Sequence, residues 1–283
     1  MNRRTKEKTY FLFFRFCGAI VVLALLVLLT YIILGGIRSV NIDFITQFPK
    51  QGMSEGGILP AIVGTFYLCT IVLAFSVPVG VLSAIYLVEY EKNSTVKKIW
   101  RIVVHNLAGV PSIVYGLLGL GLFVMALDFG FSLIAAGLTV GLLVLPIIIA
   151  AAREAILAVP ESVREASLAL GATKWQTIRH HVLPYAMSGI LTGIILSLSR
   201  AAGETAPILM TGAAYFMRSL PDSIFSQFMA LPFHLYAMAT QSSDLIATRP
   251  IQYGTALVLL MLVIGMNLIA ILLRKKYRQK YRW

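Results

Sequence analysis

FCGAIVVLALLVLLTYIILGGI, residues 16–37, runs for 22 positions without a charge. At 1.5 Å per residue a helix of that length reaches about 33 Å, enough to cross a hydrocarbon core of roughly 30 Å. Five further stretches qualify as spans: 58–88, 102–127, 131–152, 185–210 and 251–273. None shows the ten-residue alternation of barrel strands. The chain is expected to be an all-α, polytopic membrane protein with six spanning helices. Composition agrees: of 283 residues, 58% are apolar and 13% charged, with a mean hydropathy of +0.84. Soluble domains carry roughly 25% charged residues, and a single water-exposed globule of this size keeps a large polar surface. A soluble enzyme, a nucleic-acid module and a disordered tail are excluded as readings of the whole chain.

Arg3, Arg4, Lys6 and Lys8 precede the first run as in a secretion signal. The run is too long for that and lacks a small-x-small cleavage site, so an uncleaved first helix is expected. Six spans place both termini on one side. Lys and Arg number five in residues 1–15, four in 89–101, four in 153–183 and six in 274–283, which is 19 of 24. Arg38, Lys50, Arg218 and Arg249 lie on the opposite side, and Arg200 lies within a span. The positive-inside rule then puts both termini in the cytoplasm, and the net charge of +12 reflects topology and anionic lipid, not nucleic acid. The chain divides into a cytoplasmic arm (1–15), a transmembrane domain (16–273) and a basic tail (274–283). Within the domain, 153–183 is an inner loop and 211–250 an external segment.

Gly137-x-x-x-Gly141 and Gly189-x-x-x-Gly193 are spaced for close helix contact. Pro78, Pro146 and Pro207 are expected to kink or interrupt their runs. The second run is long enough for its start, near Gly56-Gly57, to lie along the membrane. Ile224, Phe225, Phe228, Met229, Leu231 and Phe233, interrupted by Pro232, suggest an interfacial or re-entrant helix. Cys17 and Cys69 lie in apolar runs and support neither a disulfide framework nor a metal cluster.

The 153–183 loop is too long for a connector. It contains PESVREASLALGATKWQTIRHHVLP, residues 160–184. Pro160 and Glu161 suit a helix start, Ala166, Ala169 and Leu170 form a narrow apolar stripe, and Gly171 suits a helix stop. A short helix displaying small residues is expected. Adjacent His180 and His181 point about 100° apart on a helix and do not form an i, i+4 metal pair. Glu165-Ala166-Ser167, Gly171 and Leu183-Pro184 resemble the EAA loop of ABC importer permeases, whose pattern is Glu-Ala-Ala, three residues, Gly, nine residues, Ile, one residue, Leu-Pro. Ser167 replaces the second Ala and His181 the Ile. The resemblance implies a MetI-like permease fold in which Glu165, Ala166, Ser167, Gly171, Leu183 and Pro184 form a coupling loop that docks on a cytoplasmic ATPase. No Gly-x4-Gly-Lys-Ser/Thr phosphate loop occurs in the chain, so ATP and its Mg²⁺ are expected on that separate subunit, with no cofactor or metal bound here.

The fifth run contains SLSRAAGETAP, residues 197–207. A charge near a bilayer centre costs several kcal/mol unless compensated. Arg200 and Glu204, spaced i, i+4, lie on one helical face and can pair. From an entry near Ala186, Arg200 lies about 21 Å along the helix. Ser197, Ser199 and Thr205 add hydroxyls, and Ala201, Ala202 and Gly203 leave room. The stretch reads as the wall of a polar pathway in which Arg200 meets an anion through its planar guanidinium. Glu204 either orients Arg200 and loosens its grip or accepts a hydrogen bond from a protonated oxyanion. A structural ion pair joining helices is the competing reading. Glu89 and Asp128 sit near span ends, where solvated charges are ordinary.

Arg200-Ala-Ala-Gly-Glu204-Thr-Ala-Pro207 is similar to a segment of the PstA-type permeases of bacterial and archaeal phosphate importers, as is Met229-Ala-Leu-Pro232 followed by Leu235-Tyr236. The likeness implies phosphate passage at Arg200 and Glu204. It also implies a PstC-type second permease, a PstB-type ATPase dimer and an extracytoplasmic phosphate-binding protein as partners, with the chain in the cytoplasmic membrane. Arg200 alone suits sulfate, molybdate or phosphonate equally. A proton-coupled anion carrier with Glu204 as proton site is the alternative from another class. It needs no ATPase dock and usually carries an internal repeat, which this chain lacks. An intramembrane enzyme finds no His-Glu-x-x-His motif and no Ser–His arrangement in the spans.

Overall fold

The computed structural model describes residues 3–50, 53, 55–242, 246 and 248–280. Helix α1 (Arg3–Gly36) leads to α2 (Ile42–Thr46), whose first turn is capped by Asn41 Oδ1 accepting from Phe44 N at 2.7 Å. A two-residue ladder, β1 (Pro49–Lys50) against β2 (Glu55–Gly56), precedes α3 (Leu59–Ile85), which ends in a π-helical turn (Tyr86–Tyr90). Next come α4 (Ser94–Gly109) and α5 (Ser112–Gly119), the latter widening into a π-helical segment (Leu120–Ala126). Then follow α6 (Leu133–Leu157), α7 (Glu161–Ala169) and α8 (Lys174–Thr177). A second π turn (Ile178–Val182) joins α8 to α9 (Leu183–Gly203). The chain closes with α10 (Ala206–Leu209), α11 (Leu231–Gln241) and α12 (Arg249–Lys280).

Among the described residues, five helices are long and apolar enough to span a membrane: 10–36, 59–90, 133–157, 174–203 and 248–279. The sixth expected span, 102–127, is not one straight helix. It divides into α4 and the α5 segment, which meet at 99°. The break falls at Val110-Pro111, where Val110 is extended (φ −70°, ψ 130°) and Pro111 begins the next helix. A proline disfavours helical geometry in the residue before it, a signal present in the sequence. The Tyr115 hydroxyl braces the corner by donating to Leu107 O at 3.0 Å.

Helix α6 is the most enclosed span and α1 the least. The glycine pairs explain the packing of α6. A Cβ on Gly137 or Gly141 would lie 2.4 Å from Ile71 or 2.6 Å from Phe75, both on α3. A Cβ on Gly189 or Gly193 of α9 would lie 2.5 Å from Ala155 or 2.4 Å from Ala151, both on α6. Without a hydrophobic drive between helices in lipid, such close backbone approach is a main source of association. Buried hydroxyls of Thr65, Ser76 and Thr139 return to the carbonyls four residues earlier at 2.6–2.7 Å, so they leave no polar group unmet in the apolar interior.

Three expectations change in detail. Helices α3 and α6 run through Pro78 and Pro146 without interruption, whereas the fifth run stops at Gly203 and restarts as α10 around Pro207. Gly56 (φ +88°) ends β2 and Gly57 follows it in the short link to α3, not in a surface helix. After α10, Pro232 starts a helix instead of breaking one. There Phe228, Met229, Leu231 and Phe233 are buried while Ile224 and Phe225 are exposed. This stretch is fastened to α3 by Leu231 N donating to Thr65 Oγ1 at 2.9 Å.

Candidate functional site

The charged pair forms, in a setting the sequence did not reveal. Arg200 Nε donates to Glu204 Oε1 at 3.2 Å. Glu204 is the first residue beyond α9, with extended backbone (φ −71°, ψ 134°). Arg200 therefore stands in the last helical turn, where unpaired carbonyls favour a cation. Its other two guanidinium nitrogens have no hydrogen-bond partner among the described residues. The Arg200 side chain is 38% exposed and that of Glu204 14%, so the fork faces open space while the carboxylate backs it.

The predicted neighbours divide. Gly203 is exposed, with open space where a Cβ would lie, but Ala201 and Ala202 are fully buried packing residues and leave no room. Ser197 is fully buried with its hydroxyl unpaired, so it lies behind the pair and not at an open surface. Ser199 is engaged by Asn267, whose Nδ2 donates to Ser199 Oγ at 2.7 Å and ties α9 to α12. Thr205 occupies the turn between α9 and α10. That turn is held against α5 by Gly116, where a Cβ would lie 3.2 Å from both Ala206 O and Pro207 Cα.

At the opposite end of α9 lies the predicted coupling loop. Helix α7 starts after Pro160 and stops at Gly171 (φ +82°), a left-handed position that favours glycine. Glu165, Ala166, Ala169 and Gly171 are exposed, and Leu170 is 89% exposed. Ser167 turns inward: its Oγ lies 3.0 Å from Thr177 Oγ1, a contact that the usual alanine cannot make. His181 is exposed within the π turn, so a polar residue at the family's isoleucine position loses no burial. Leu183 packs on the core at this end, and Pro184 sits in the first turn of α9. The second half of the loop is helical from Lys174, capped by a Thr173–Gln176 box.

The pairing of Arg164 with Glu89 was not foreseen, and Glu89 is not the solvated end-charge expected. Its carboxylate, 8% exposed, accepts from Arg164 Nη2 at 2.9 Å and Nε at 3.0 Å. The same guanidinium caps α6 by donating to Ile156 O at 2.9 Å and Val159 O at 2.6 Å. Lys174 adds a bond to Glu89 O. An acid at one span end and an arginine in the inner loop were the available signals. A groove of about 600 Å³ runs beside α7, bordered by Glu161, Glu165, Leu168 and this pair.

Residues 76–283, from mid-α3 through α12, match the model of the binding-protein-dependent transport system inner membrane component family. The chain belongs to that family. Full-length relatives agree. The probable ABC transporter permease protein YqgI of Bacillus subtilis is 31% identical, covering 95% of both chains. The phosphate transport system permease protein PstA of Mycobacterium leprae is 36% identical, covering 95% of this chain and 88% of its own. The inner membrane component fold also occurs in a bacterial alginate ABC transporter (TM-score 0.63, 14% identity, 98% and 96% coverage) and in the MetNI methionine ABC transporter (TM-score 0.58, 18%, 78% and 94%). The chain is thus a multi-pass permease subunit with a MetI-like fold, and the resemblance to PstA-type permeases read from its motifs holds over nearly its whole length.

Proposed function

We propose that this chain is a membrane permease subunit of an ATP-driven importer of inorganic phosphate, with its termini and α7 in the cytoplasm. The observation that carries the reading is the half-open Arg200 fork, backed by Glu204 at a helix break inside an apolar bundle. A guanidinium with two free nitrogens suits two of the four oxygens of a tetrahedral oxyanion. Glu204 holds one edge of Arg200, which limits the grip and lets the anion leave. The PstA relatives favour phosphate over other oxyanions.

Transport needs a partner for each end. A PstC-type permease completes the pathway, an extracytoplasmic phosphate-binding protein delivers the anion, and a PstB-type ATPase dimer takes α7 into a groove through Glu165, Ala166, Leu170 and Gly171. ATP and Mg²⁺ act on those ATPases, and this chain performs no covalent chemistry. Closure of the ATPases displaces α7. The Arg164–Glu89 pair passes the movement to α3, the Ser167–Thr177 contact passes it to the α8–α9 segment, and the bundle exchanges outward for inward access.

Reconstitution of the complex in proteoliposomes with the binding protein tests the reading. ATP-dependent uptake of labelled phosphate, outcompeting sulfate and molybdate, is expected. Uptake by this chain alone under a proton gradient would replace the reading with a secondary carrier.

A further inference from the structure

Helix α4 carries Lys97, Arg101 and His105 at four-residue intervals on one face, and Ile99, Val103 and Leu107 on the other. None of its residues is buried in this chain, and it lies at 99° to the α5 segment. With α5 along the membrane normal, α4 lies in the membrane plane, its apolar face exposed and its basic face turned toward α6. It sits at the same end of the bundle as α7, beside the π turn that closes α3.

Between α4, that turn and α6 is a pocket of about 390 Å³. Lys97, Arg101, His105, Arg153 and Glu154 supply its polar rim, and Trp100 and Leu87 belong to its apolar wall. Arg153 is engaged by its neighbour Glu154. Neither Lys97 nor Arg101 forms an ion pair among the described residues. Cations above an apolar wall, at the level where an in-plane helix marks the interface, match the two halves of an anionic phospholipid. A free phosphate has no use for the apolar wall and would lose hydration against it.

We propose that this pocket is a binding site for an anionic phospholipid, with the headgroup phosphate held by Lys97 and Arg101 and an acyl chain lying against Trp100 and Leu87. The inference rests on the membrane topology and not on the transport role of Arg200, so loss of uptake in an Arg200 variant leaves it standing. The bound lipid fastens α4 at the interface, beside the last turn of α3 that Arg164 grips.

The test uses the purified complex, exchanged into detergent with phosphatidylglycerol or phosphatidylcholine and examined by native mass spectrometry. Phosphatidylglycerol is expected to stay bound and phosphatidylcholine to wash away. The K97Q/R101Q variant should retain phosphatidylglycerol about thirtyfold less well, the loss of two interfacial cations. K98Q removes the same kind of charge from α4 outside the pocket and should retain the lipid. Equal retention in K97Q/R101Q and wild type, or equal loss in K98Q, would overturn the site. So would displacement by millimolar inorganic phosphate, or a photo-cross-linker at position 100 that captures the second permease subunit instead of lipid.

Discussion

Arg164 on α7 grips Glu89 at the foot of α3, 75 residues away in sequence, with Nη2 2.9 Å from Oε1. Both side chains are largely shielded, at 18% and 8% exposure, and the same guanidinium closes the end of α6. One residue thus joins the proposed docking helix to two spans. Breaking a buried pair by removing one partner costs on the order of 3 kcal/mol. Glu89→Gln keeps the shape and removes the charge. It should lower the phosphate imported per ATP hydrolysed while the ATPases still co-purify, and the ratio of the two rates measures this. An unchanged ratio would remove the pair from the transmission route.

At the charged pair, Arg200→Ala should abolish uptake while leaving insertion and assembly intact, as read by labelled uptake and subunit recovery. Arg200→Lys should rescue little, because an ammonium lacks the planar fork. Glu204→Gln frees the guanidinium, so phosphate should bind more tightly and turn over more slowly, seen as KM and kcat falling together.

The exposed tip of α7 should matter for docking and not for folding. Glu165→Lys and Leu170→Asp both change exposed side chains, so the subunit should insert normally but recover several-fold less ATPase on co-purification. Gly171→Asp adds backbone strain of about 1 kcal/mol at φ +82°. Equal recovery in all three would end the docking assignment.

His234, on α11 outside the spans, is buried with both ring nitrogens unpaired. Burial pushes its pKa down to about 4. The unfolded chain binds a proton near pH 6.5 and the folded chain does not. The packing of α11 is therefore at full stability above pH 6.5 and loses stability as pH falls toward 4, by roughly 3 kcal/mol in all. His234→Leu should raise thermal stability and flatten that acid dependence, as followed by melting temperature against pH.

The spans were legible because long uncharged runs have few solutions in lipid, and the glycine pairs because close approach needs small residues at helical spacing. Gly171, Pro160 and the Arg200–Glu204 pair are local features and could be read directly. The turn at Pro111 was missed because uninterrupted hydropathy outweighed a backbone signal that was present. The end of α9 at Gly203 was missed for a related reason: i, i+4 spacing implied a continuous helix, whereas the pair closes across its end. The Arg164–Glu89 and Ser167–Thr177 contacts depend on how the loop folds back, which one-dimensional spacing does not encode.

The glycine contacts leave less than a methyl group's clearance where α6 meets α3 and where it meets α9. Those three helices cannot slip past one another by a notch without a clash, so they behave as a single plank. Any opening and shutting of a passage is expected to swing that plank whole, with the chain turning at the helix breaks beside Pro111 and Thr205.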